Sequence, residues 1–115
     1  MAIHYNLAKV YAISDDDADF VRQIITLFVE EVPEDIKHMK AGIKTKDYAQ
    51  AYSYAHKTKP TLDLLGMDAA KEEILQIEQW TRDQGKKKEI KEVYKSLEAR
   101  IEAALEEVKK DFSVL

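Results

Sequence analysis

The sequence predicts an all-α fold, an antiparallel up-and-down four-helix bundle with additional short helices on its N-terminal side, and three observations predict it. Only 3 Gly and 2 Pro interrupt 115 residues, while Ala, Leu, Ile, Glu, Lys and Gln dominate, which is the composition of long helices joined by short turns. Apolar residues recur at alternating three- and four-residue steps, the spacing of a helix stripe. The breaks between stripes are short, and helices joined by short connections pack as antiparallel neighbours. A chain of this length supports one core, so residues 1–115 read as a single domain.

Each element follows from its punctuation. Leu7, Val10 and Tyr11 form a short apolar-spaced segment ahead of Ser14-Asp15-Asp16-Asp17, where Ser14 can cap a helix and Asp17 can complete a capping box. The next helix carries Phe20, Ile24, Leu27, Phe28 and Val32 on one stripe and should stop near Val32, because the residue before a proline disfavours α geometry. Pro33 suits the first turn of a third helix with the stripe Ile36, Met39 and Ile43, fraying between Gly42 and Thr45. A fourth starts around Thr45 or Lys46 and runs to Gly66, a natural C-terminal stop. Asp68 caps a fifth that ends at Gly85, and the sixth carries Ile90, Val93, Leu97, Ile101, Ala104 and Val108 along one seam.

Composition also narrows the function. There is no cysteine, which excludes disulfide and thiolate chemistry and leaves a metal only scattered His and carboxylates. A net charge of −4 with Lys and Asp/Glu mixed along the chain gives no global field to attract nucleic acid. Lys86-Lys87-Lys88 is the one basic run and reads as a solvated loop and helix start. No signal-peptide pattern and no membrane-length apolar run is present, so a cytoplasmic protein away from the membrane is expected. His4 and His38 sit on separate short segments and read as surface residues.

The chemistry gathers around His56. On a wheel of the fourth helix, Tyr48, Ala51, Ala55, Leu62 and Leu65 form one side, and His56 points about 140° from its centre. The exposed face then reads Tyr52, His56, Lys59, Asp63. An ammonium one turn from an imidazole can neutralise part of the charge of a phosphoryl group placed there. Pro60 deletes the backbone hydrogen bond to the carbonyl of His56, at a cost of roughly 3 kcal/mol in a helix interior; it either loosens the helix at the histidine or splits it in two. Glu78 falls within about 50° of the centre of the stripe Met67, Ala70, Ile74, Ile77 and Thr81. A carboxylate there needs a partner: it either accepts a hydrogen bond from His56 and fixes the tautomer, or packs its stem and reaches water with its head.

The stretch Ala55-His56-Lys57-Thr58-Lys59-Pro60-Thr61-Leu62-Asp63-Leu64-Leu65-Gly66, preceded by the run from Asp17 to Glu31 and by Pro33-Glu34, resembles the signature of histidine-containing phosphotransfer domains. That signature is Ala-His-x-Leu-Lys-Gly with a second Gly ten residues after the His; the chain departs from it at Thr58 and Pro60. The resemblance implies that His56 is phosphorylated, that Lys59 is the charge partner and that Glu78 hydrogen-bonds the ring. It implies a phosphocarrier without autokinase activity or nucleotide binding, with no cofactor of its own and with Mg²⁺ on the partner. The partners it implies are receiver domains of a hybrid sensor kinase and a response regulator, meeting a surface of Phe28, Tyr52, Lys57, Pro60 and Asp63. The compact ends favour a free-standing monomer. Two rival readings are a helical adaptor without phosphotransfer and a metal or haem bundle enzyme; the latter needs convergent His/Glu ligands on facing helices, which the chain lacks.

Overall fold

The structure, a computed structural model, describes residues 3–112. Among them are five helices and no strand: α1 Ala8–Ser14, α2 Ala18–Thr45, α3 Tyr48–Leu64, α4 Asp68–Asp83 and α5 Lys87–Phe112. The four long helices form a closed ring of neighbours, α2 with α3, α3 with α4, α4 with α5 and α5 with α2, while α1 packs on α2. One hydrophobic core runs through the ring, including Phe28 and Met39 of α2, Ala51 and Leu62 of α3, Ile74 and Ile77 of α4, and Leu97 and Val108 of α5.

The largest departure from the sequence reading is at Pro33. The helices expected on either side of it are one helix, α2, with Pro33 inside. The buried positions Phe28, Val32, Ile36 and Met39 keep helical spacing straight through the proline. Burying side chains of this size stabilises by about 1.5–3 kcal/mol each, which outweighs the roughly 3 kcal/mol that an internal proline costs.

The helix ends also shift. Asp17 rather than Ser14 caps α2, its side chain accepting from the amides of Asp19 at 2.9 Å and Phe20 at 3.3 Å. Ser14 instead closes α1, followed by Asp15 and Asp16 in the left-handed region. Asp47 caps α3 through the amide of Gln50 at 3.0 Å. Asp68 is the first residue of α4 and not its cap; there its charge faces the positive end of the helix dipole.

The N-terminal segment straps the bundle. The Asn6 amide donates to the Leu65 carbonyl at 2.6 Å, directly across Gly66, whose φ is 64° and where a Cβ would lie 2.8 Å from Cβ of Asn6. Further out, the amides of Ile3 and His4 donate to the Glu107 carboxylate on α5, and the Tyr5 hydroxyl donates to Asp111. Burial and the Asp111 carboxylate together push the Tyr5 hydroxyl pKa up.

Helices α2 and α3 come closest at Gly42, where a Cβ would sit 2.8 Å from the backbone nitrogen of Ala51 and 3.1 Å from the carbonyl oxygen of Asp47. Gly42→Ala gains up to about 1 kcal/mol of helix propensity. Because the obstructing atoms are backbone, the helices must move apart, and overpacking costs about 1–3 kcal/mol. Net destabilisation is the expected outcome, read as a lower midpoint in urea unfolding.

Candidate functional site

Helix α3 turns Ala51, Ala55, Thr58 and Leu62 into the core and leaves the side chain of His56 60 % exposed. Thr58 tolerates full burial because its hydroxyl donates to the Tyr54 carbonyl one turn back, at 2.8 Å. Pro60 lies inside α3 and does not split it.

Glu78 reaches His56 from α4, and its side chain is only 1 % exposed. The packing of Ile74, Ile77 and Thr81 holds its turn of helix against the core. Its Oε2 lies 3.1 Å from Nδ1 of His56, and Nζ of Lys59 donates to Oε1 at 3.0 Å and to Oε2 at 3.2 Å. A carboxylate only accepts, so in the neutral ring the hydrogen belongs on Nδ1 and the lone pair on Nε2. The alternative of an edge glutamate with a wet head does not hold; its two oxygens are shared by an imidazole and an ammonium.

The ring has a second support. Tyr52, one turn before His56, stacks on the imidazole with centroids 5.5 Å apart and planes 12° apart, and the Arg82 guanidinium lies 5.5 Å from the centre of the Tyr52 ring. Lys57 points to α2, where its ammonium meets Asp35 at 3.0 Å and Glu31 at 3.6 Å. The hydrogen bond and charge of Asp35 hold the Lys57 ammonium pKa above its usual value.

Two candidate residues fall elsewhere. Phe28 is fully buried in the core and cannot line a docking surface. Helix α2 is met by α1, α3 and α5, so the expected apolar stripe is turned: Val21, Ile25, Phe28 and Val32 are buried, whereas Leu27 is exposed. Asp63, two turns beyond the histidine on α3, does not join Glu78 and Lys59 but pairs with Lys71 of α4 at 2.9 Å and Lys9 of α1 at 3.0 Å. Those hydrogen bonds, Lys71 first, hold its carboxyl below the ordinary range.

Sequence reading missed Asp35, Glu31 and Arg82. The signals were present: Glu31 and Asp35 are one turn apart on α2, and Arg82 follows Glu78 by one turn on α4. His38 stacks on Tyr54 at 4.8 Å, one turn beyond Asp35 on α2 and one turn before Lys57 on α3. Among the described residues no group of three or more His, Asp or Glu side chains could hold a metal ion, and no helix is long and apolar enough to cross a membrane.

The helical fold thus presents to solvent an imidazole, that of His56, backed by a buried carboxylate and an ammonium. The family model of the Hpt domain matches residues 23–111, and the chain belongs to this family of histidine-containing phosphotransfer domains. The match takes in most of α2 and all of α3 and α4. Domains of this family are phosphocarriers in phosphorelays and interact with receiver domains. No curated protein and no solved structure matches the chain.

Proposed function

We propose that His56 accepts a phosphoryl group from the phosphoaspartate of one receiver domain and passes it to the aspartate of another. The observation that carries this is the solvent-facing ring of His56, whose Nδ1 is engaged by Glu78 and whose Nε2 has no such partner among the described residues. In the forward step Nε2 attacks phosphorus in line. The N–P bond forms as the acyl phosphate P–O bond breaks, and the aspartate leaves as a carboxylate. The hydrogen on Nδ1 stays in place, and the positive charge gained by the ring is offset by Glu78. Return transfer reverses each step. Such chemistry needs positioning and charge neutralisation more than covalent help from the protein.

In this reading Lys59 neutralises part of the phosphoryl charge, and the four long helices form an antiparallel bundle that keeps the nucleophile rigid. Tyr52, Lys57 and Pro60 border His56 and receive the partner, with Asp63 at the periphery. Transient contacts of this sort are small and rest on a few anchors. Mg²⁺ and the acidic pocket belong to the receiver; the chain binds no nucleotide, has no autokinase activity and works as a cytoplasmic monomer. A helical adaptor without phosphotransfer would have no use for a buried carboxylate spent on orienting one surface imidazole.

Treatment with phosphoramidate, a small-molecule phosphoryl donor to histidine, followed by intact mass and peptide mapping, tests the reading. One addition that maps to α3, is lost in acid and survives base is the expected result. No addition to the folded protein, from phosphoramidate or from phosphorylated receivers, would overturn it.

A further inference from the structure

A groove between the C-terminal half of α2 and the N-terminal half of α5 lies apart from the His56 site and encloses about 550 Å³. Its apolar floor is recessed, with Ile43 8 % and Tyr94 6 % exposed. Lys40 and Lys44 line the α2 side; Lys87, Lys88, Lys91 and Lys95 line the other. Glu98 is the one acidic residue of the lining, 3.9 Å from Lys40. The other five lysines form no ion pair among the described residues. Lysine stems make apolar walls while their ammonium groups stay in water, so the groove is greasy inside and strongly basic at both edges. This concentration of positive charge occurs in a chain whose net charge is −4.

We propose that this groove docks an acidic amphipathic helix from a partner protein. Two helices flanking an apolar trough form the shape into which a third lays its apolar face, and acidic residues on both flanks of that helix would meet lysines on both edges. A lipid surface calls for apolar groups that protrude, and here they are sunk between the lysines. A nucleic acid would meet the lysines but would have no use for the apolar floor of Ile43 and Tyr94. The occupant does not compete with phosphotransfer: His56 is oriented from α4, whereas the groove belongs to α2 and α5, and α5 lies across the ring from α3. The charge complementarity would let the chain be tethered by one partner while a receiver visits His56.

The test titrates the full chain, followed by amide and side-chain NMR, with a synthetic peptide carrying Leu at helical spacing and Glu elsewhere, and with a scrambled peptide of the same composition. The expected result is a set of shifts centred on Ile43 and Tyr94, produced by the amphipathic peptide alone and weakened by added salt. The double variant Lys88→Glu, Lys91→Glu, checked for native helicity, should bind about tenfold more weakly or worse while taking up phosphoryl from phosphoramidate unchanged. Equal binding of the scrambled peptide, shifts centred on His56, or no shifts would each overturn the proposal. Concentration-dependent shifts at the groove without peptide would overturn it in favour of a second copy of the chain.

Discussion

Replacing His56 by Gln is expected to abolish phosphoryl uptake altogether and to leave the fold standing. The histidine side chain is mostly in solvent, so little packing is lost, and Glu78 keeps Lys59 as a partner at 3.0 Å. The Gln amide also retains a donor able to reach the carboxylate. The stability change should therefore stay within about 1 kcal/mol, the net worth of one hydrogen bond. Intact mass after phosphoramidate, paired with thermal unfolding, separates the two effects. Residual single phosphorylation in the folded variant would place the acceptor elsewhere, and a collapse of stability would make His56 a structural residue.

Phe28→Ala is expected to destabilise the protein by about 3–5 kcal/mol, the usual cost of emptying a buried aromatic site. Phe28 has no exposure and packs within the core that all four long helices share. Small domains hold only about 5–15 kcal/mol in total, so much of the population would unfold on mild heating or in low urea. Receiver binding by the fraction that stays folded should be unaltered. Weak binding by a variant of near-native stability would instead put Phe28 at a docking surface.

Phe28 also shows what could be read before folding and what could not. In α4 and α5 the apolar residues fall on one side, and their periodicity located the seam; the wheel angle of Glu78 likewise put it beside a core that now buries it. Helix α2 carries Phe20, Val21, Ile24, Ile25, Leu27, Phe28 and Val29, an apolar face wider than one stripe; which part of it is covered, with Phe28 buried near its middle and Leu27 exposed at its edge, is decided by the packing of α1, α3 and α5. The continuity of α2 through Pro33 has the same origin, since tertiary burial on both sides of the proline overrides a local rule. Near His56, residues on the same helix were legible because one turn fixes their spacing. Asp63 was legible as a face but not as a partner, because Lys9 and Lys71 reach it from other helices. The same limit hid the basic groove, in which Lys40 and Lys44 meet the run at residues 87–88 only once α2 packs on α5.

The N-terminal strap bears on how the chain folds. The turns between the long helices join partners that are near in sequence, whereas the bonds from Ile3 and His4 to Glu107 close a loop of more than 100 residues. Loop-closure entropy makes contacts of such separation slow to reward their cost. Assembly therefore begins with adjacent helices zipping together and ends with the strap closing over Gly66, on a bundle that has already formed. In the reverse direction the strap is expected to let go first, so that the amides of Ile3, His4 and Asn6 exchange with solvent ahead of those of the helix bearing His56.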